Sequence, residues 1–353
     1  MYILLAILMF SILIFVHEFG HFITAKLAGV QVNEFAMFMG PAIWQKQIGE
    51  TLYSIRCIPI GGYCAMEGED SESDNPRAFN RAAWWKRLVI LVAGAAMNFL
   101  TGVVIFAGLY LPVRTIVEPV IVEFTDCCTF NDENGLRLGD EILEIDGEKI
   151  YLNSDISTMI SLNPTGVHDL VIRRDGQILE WTDFPMTHIC VDENGNEFIH
   201  YGFGFGQAKE ATFWDRVELV WGVTAGNVRN IRLSLRMLVS GQAGLKDMTG
   251  VVGIVDLMSD TAAASPTWVD AVLNMLYFAG FLSVNLAVMN LLPIPALDGG
   301  RAVCVLLTSA WEGITKKKLN PKYEGYLHAA GMIALLALMA LITFKDIFTI
   351  FRG

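Results

Sequence analysis

His17-Glu18-Phe19-Gly20-His21 is the densest concentration of chemistry in the sequence. On a helix, residues four apart share a face, so both imidazoles can reach one ion. Glu18 can then approach the metal-bound water as general base. A catalytic zinc takes three protein ligands and keeps a fourth position open. Asp298 is the expected third ligand, within NLLPIPALDGG at 290–300. There Pro293 and Pro295 stop a helix and remove backbone donors, and the glycines beside Asp298 let its carboxylate approach closely. Taken alone, Asp298-Gly299 also reads as a plain turn. The chain has only 6 histidines, so a chance HExxH is expected on the order of once in a hundred such chains or fewer.

The surroundings sharpen the reading. Residues 2–16 carry no charge and one polar side chain, Ser11. They lack the positive n-region and small-residue cleavage site of a signal peptide, so they read as a membrane span. Three ionisable groups continuing such a helix are costly in lipid and mark a functional site. Further apolar runs cover 88–113, 269–292 and 326–344, each long enough for a hydrocarbon core that needs about 20 helical residues. Composition agrees: the 353 residues are 53% hydrophobic and only 18% charged, against about 25% charged in soluble domains. The net charge of −12 leaves no basic face for nucleic acid. Six cysteines show no CxxC pair and no framework spacing, so neither a zinc finger nor a disulfide scaffold is implied.

Basic residues predict orientation. Arg77, Arg81, Lys86 and Arg87 precede the second span, and Lys316, Lys317, Lys318 and Lys322 lie between the third and fourth. Both segments are expected in the cytosol, and both termini and residues 114–268 outside. Residues 28–70 read as strands and turns, punctuated by Gly40-Pro41 and Gly61-Gly62. In 115–200, NGLRLGDEILEIDG reads as turn, strand and turn, and VHDLVIRRDGQILEWT as a hairpin turning at Asp175-Gly176. Residues 212–262 carry amphipathic helical patterns. Cys127, Cys128 and Cys190 fall outside, where Cys190 could bond either of the vicinal pair. Cys57 and Cys64 read as small apolar packers.

HEFGH in the first span together with NLLPIPALDGG after the third resembles the site-2 protease family of intramembrane zinc metalloproteases, and most closely its regulator-of-sigma-E protease branch. FMGP at 38–41, IPIGGYCAMEGE at 58–69, AGAAMN at 93–98 and TGVVGI at 249–254 resemble further blocks of that family, and 115–200 resembles its PDZ domain. The resemblance implies that His17, His21 and Asp298 bind zinc and that Glu18 is the base. It implies that Asn290, Pro293 and Pro295 hold substrate near the metal. Residues 58–66, with Gly61 and Gly62, correspond to a membrane-associated β-element that pairs with unwound substrate, a mode that would expose a helical substrate's peptide bonds. The chain departs from the family at Gly94-Ala95-Ala96, where Gly-Pro is common, and at Val251, where Pro is usual. It has room for one PDZ-like domain and no CBS domain, and CCTFNDENGL is an atypical turn before the PDZ block.

The expected fold is a polytopic α-helical membrane protein with about four transmembrane helices, a membrane-associated β-element and one extracytoplasmic PDZ-like α/β domain. Residues 1–113 would hold the first two spans and the HExxH motif, 114–205 the PDZ-like domain, 206–268 amphipathic linker helices, and 269–353 the last two spans and the LDG motif. The expected function is zinc-dependent cleavage of transmembrane segments in the bacterial cytoplasmic membrane. Single-span proteins, such as anti-sigma factors or signal-peptide remnants, would be the substrates. The alternatives are an inactive PDZ-containing scaffold and a metal transporter, and neither needs a base beside the ligands.

Overall fold

The computed structural model describes residues 2–69, 73–125, 135–163, 165–191, 197–244, 246, 248–316 and 321–352. In chain order the elements begin α1 (Tyr2–Ala28), β1 (Val32–Ile48), β2 (Thr51–Met66), α2 (Trp84–Tyr110), β3 (Thr115–Phe124), β4 (Glu141–Ile145), β5 (Glu148–Lys149) and α3 (Asn153–Leu162). They continue β6 (Val167–Arg174), β7 (Gln177–Pro185), β8 (His188–Val191), β9 (Glu197–His200), β10 (Phe203–Glu210), α4 (Phe213–Val239), α5 (Val251–Ala263), α6 (Trp268–Asn290), α7 (Asp298–Thr315) and α8 (Pro321–Arg352). The chain divides into two compact units, Met1–Ile105 with Asn230–Gly353, and Phe106–Arg229.

The first unit is helical, with one β-hairpin. Among the described residues, Ile3–Ala28, Trp84–Tyr110, Trp268–Asn290 and Gly325–Thr349 are long and apolar enough to cross a membrane. They match the four expected runs, with α1 continuing through HEFGH. One apolar cluster joins Ala6 and Leu13 of α1 to Met258 and Ala262 of α5 and Ala271, Met275 and Leu282 of α6. A second joins Ala25, Phe35, Cys64, Ile90 and Val305, so it ties α1, the hairpin, α2 and α7 together. Phe15, Phe19 and Phe22 of α1 pack on Phe35, which holds the hairpin against that helix. Apolar side chains of α8 such as Ile333 and Phe344 are exposed, as a helix facing lipid requires. Asp346 of that helix accepts hydrogen bonds from Gly250 N (2.8 Å) and Gly253 N (3.1 Å) and caps α5. Val251, where the family pattern has proline, is the first residue of α5, a position that suits proline.

The hairpin is longer than its turn residues suggest. Val32 faces Met66 and Met37 faces Gly62, while Ile48 faces Thr51 and Trp44 faces Ile55. Residues 34–37 also face 52–55, so the start of β1 has β2 backbone on both sides.

The second unit carries a sheet in the order β10-β3-β4-β6-β7, with β5 on β4. Its core includes Ile121, Leu136, Ile142, Ile145, Ile156, Leu170 and Ile172, all almost fully buried. Asp175-Gly176 turns β6 into β7, and Asp146-Gly147 turns β4 into β5; all four residues have positive φ, as two-residue hairpin turns of the primed type require. Asp155 accepts hydrogen bonds from Tyr151 N and Leu152 N at the start of α3 and forms a buried ion pair with Arg229 of α4. Cys190 is disulfide-bonded; Cys127 and Cys128 lie outside the described residues. Cys57 and Cys64 are free thiols.

Candidate metal centre

The site is built from four helices, α1, α2, α6 and α7, and the edge of one strand. Helix α1 supplies His17 and His21, one turn apart and both buried. Asp298 is the first residue of α7. Its Oδ2 lies 3.0 Å from His17 Nε2 and 3.2 Å from His21 Nε2, and the two imidazole nitrogens are 3.2 Å apart. Ligand atoms at the usual ~2.0–2.1 Å from a tetrahedral zinc stand roughly 3.3 Å from one another, so the triangle has the right size.

Hydrogen bonding around the triangle supports the fit. Asp298 Oδ2 is buried and has no aligned N–H donor despite its two neighbours. His21 Nδ1 lies 2.8 Å from the carbonyl of Ile90. A carbonyl only accepts, so that nitrogen carries the proton and Nε2 presents a lone pair. Lone pairs and a carboxylate converging in a buried space repel unless a cation lies between them. Among the described residues, these are the three that could share one metal ion.

Local sequence explains how Asp298 arrives there. The segment 291–297, broken by Pro293 and Pro295, curls under the start of α7. A Cβ on Gly299 would lie 2.4 Å from the Leu291 carbonyl oxygen, and one on Gly300 2.2 Å from that of Ile294. The two glycines therefore let α7 nest against the turn. Arg301 pairs with Glu69 beyond β2, and Ala296 N donates to His328 Nδ1 at 3.2 Å. That contact gives the lone histidine of the fourth span a partner in the turn.

Glu18 lines a cavity of about 260 Å³ with Ile14, His17, Asn98, Leu286, Asn290, Ala296, Leu297 and Asp298. Its carboxyl faces the backbone N–H of Cys64 on β2. A Cβ on Gly62 would lie 3.6 Å from Glu18 Cγ. The structure thus brings Asn290 to the cavity and Gly62 to Glu18. Gly61, with φ of +80°, turns beside Met39. Pro293 and Pro295 do not line the cavity; Pro295 packs where a Cβ on Gly331 of α8 would fall.

Residue-by-residue reading of the sequence assigns no role to α2 in this site, and α2 borders it closely. A Cβ on Gly94 would lie 2.4 Å from His21 Nε2 and 2.7 Å from His17 Cε1. The Asn98 amide lies 3.3 Å from His17 Nδ1. The signal was present as Asn98, the most polar residue of an otherwise apolar span.

Comparison with known proteins agrees with this geometry. The profile of peptidase family M50 matches residues 5–338. A Clostridium perfringens protein named as a zinc metalloprotease is 36% identical over 348 residues, covering 98% of each chain. A protein of Clostridium acetobutylicum with the same description is 34% identical over 351 residues, covering 98% of this chain and 97% of its own. The Bacillus subtilis regulator of sigma-W protease RasP is 28% identical over 430 residues, covering 98% of each. With four long apolar helices and this similarity along its whole length, the chain belongs to peptidase family M50, the site-2 proteases, and is a zinc metalloprotease of a membrane.

Proposed function

We propose that the chain hydrolyses a peptide bond within or beside a transmembrane segment of another membrane protein, with His17, His21 and Asp298 as zinc ligands and Glu18 as general base. The placement of Glu18 carries the proposal: it shares one cavity with His17 and Asp298, among apolar helices. Held by these three ligands, zinc would lower the pKa of a bound water and polarise the scissile carbonyl. Glu18 takes the proton of the attacking water and returns it to the leaving amide nitrogen. The backbone N–H of Cys64 faces the carboxyl from β2 and can steady it for that transfer. Asn290 offers an amide to the substrate backbone from the cavity wall. Gly61 and Gly62, without side chains on the β2 edge near Glu18, leave room for an extended substrate to lie as an added strand. Pro293 and Pro295 keep 291–297 from continuing either helix, so Ala296 and Leu297 can face the cavity.

The expected setting is the bacterial cytoplasmic membrane, with the basic clusters in the cytosol and both termini outside. The second unit, read as a single PDZ-like domain, would lie outside too. The disulfide at Cys190 supports an oxidising compartment for it. Single-span proteins are the proposed substrates, either membrane-tethered anti-sigma factors or signal-peptide remnants; the Bacillus relative is named for regulating a sigma factor.

Glu18→Gln tests the assignment. The variant is expected to keep its zinc and lose cleavage of a membrane-embedded reporter. Undiminished cleavage would exclude Glu18 as the base.

A further inference from the structure

Helix α2 meets the two imidazoles at three positions one turn apart: the carbonyl of Ile90, the bare backbone of Gly94 and the amide of Asn98. The spacing of four puts them along one face of the helix. The Ile90 carbonyl sets the tautomer of His21, because only a protonated Nδ1 can bond to it. His17 has no such carbonyl; its Nδ1 faces Asn98, which is fully buried.

An amide presents a donor or an acceptor according to a 180° rotation about its last bond, and the two orientations have the same outline. With Nδ2 towards His17, Nδ1 must accept and the proton sits on Nε2, pointing into Asp298 and His21. In that orientation Asn98 Oδ1 is buried without a hydrogen-bond partner. With Oδ1 towards His17, the amide oxygen accepts from Nδ1–H and the Nε2 lone pair faces the other two ligands. The second orientation makes His17 the same tautomer as His21, the one in which Nε2 can bind an ion; the amide Nδ2 then takes the place of the oxygen. Ser283 Oγ donates to the backbone carbonyl of Asn98 at 2.7 Å, which ties α2 to α6 at this level.

We propose that Asn98 is a positioning residue of the metal centre: its side-chain oxygen accepts from His17 Nδ1–H and so holds the Nε2 lone pair towards the ion. This rests on the ligand assignment above. Metal-bound histidines commonly donate their second nitrogen to such an acceptor, and losing it typically costs about 10–100-fold in metal affinity.

The test uses the full chain in detergent micelles and measures zinc affinity by chelator competition and the visible spectrum of the cobalt-substituted protein. Asn98→Leu keeps the volume and removes the acceptor. It is expected to weaken zinc by about 10–100-fold and to shift the cobalt bands. Asn98→Asp keeps an acceptor and cannot donate. It is expected to stay within about threefold of wild-type affinity, with wild-type bands. Wild-type affinity in Asn98→Leu, or a loss in Asn98→Asp as large as in Asn98→Leu, would overturn the proposal. If Asn98→Leu does not fold, Asn98→Asp decides alone: zinc held upholds the acceptor role, zinc lost refutes it. His17→Ala separates the two layers, since zinc retained at full affinity there would refute the ligand assignment itself, whatever Asn98 does.

Discussion

Gly94 determines whether two imidazoles fit beside α2. Any side chain there begins inside the space of both rings, 2.4 Å from His21 Nε2 and 2.7 Å from His17 Cε1. Neither ring can retreat easily, because His21 is held by the Ile90 carbonyl and His17 by its contact with Asn98. Gly94→Ala is therefore expected to lower zinc retention through purification at least about tenfold, as for loss of a supporting contact. Circular dichroism should stay unchanged, because alanine favours helix over glycine by about 1 kcal/mol. Full zinc occupancy in the variant would show that the rings can yield. His17, Glu18, His21 and Asp298 were legible in the sequence because spacing within a turn, or a glycine pair beside a carboxylate, encodes them locally. Gly94 and Ile90 were not: they act across about 70 residues of chain, and a backbone carbonyl or a missing side chain leaves no mark of its function in the residue type.

At the scale of elements, α7 is the part that sequence patterning did not anticipate. Two prolines end the preceding helix, and the glycines that follow read as a turn. They instead occupy the first turn of a helix whose buried face is Gly299, Gly300, Ala302 and Val305. Small residues there replace an apolar stripe, so the helical period is hard to see. The hairpin turns of the second unit were legible, because Asp-Gly pairs specify their own backbone conformation. The pairing of residues 34–37 on both sides was not, because it depends on partners far along the chain. The function of α7 as the carrier of Asp298 gives a paired prediction. Gly300→Ala places a Cβ 2.2 Å from the Ile294 carbonyl oxygen and must push α7 away from the turn. Overpacking of this kind costs about 1–3 kcal/mol, and zinc affinity should fall with it. Gly313→Ala, on the same helix with nothing within 4 Å of its added Cβ, should be neutral or stabilise by up to about 1 kcal/mol. Thermal unfolding of the two variants, with and without zinc, checks both; equal behaviour would mean that α7 does not seat Asp298 through this contact.

At the scale of the whole molecule, the sheet-bearing part of the second unit, residues 115–210, can be removed along a line that its own sheet supplies. Strands β3 and β10 are neighbours, with Thr115 opposite Glu210, and Ala211 N donates to the Arg114 carbonyl at 2.8 Å. The two ends of residues 115–210 therefore stand side by side, and a short glycine-containing linker can join 114 to 211 without strain. Stopping the excision at 200 would instead leave β10 with no partner strand, an unpaired edge prone to association. The excision removes Asp155, the Lys149 carbonyl and the Tyr151 ring from Arg229 together, so the groups that bury the arginine leave with its partner and the cost is below that of breaking the pair in place. The four apolar helices and every residue of the metal centre lie outside the excised segment. If the unit screens substrates by size, the excised protease should still bind zinc and cleave a trimmed membrane reporter. It should also cleave a reporter that retains a folded extracytoplasmic domain, which the intact chain spares. Mass spectrometry of both reporters after co-expression reads the outcome. Continued sparing of the untrimmed reporter, with the trimmed one still cut, would assign the selectivity to the membrane unit instead.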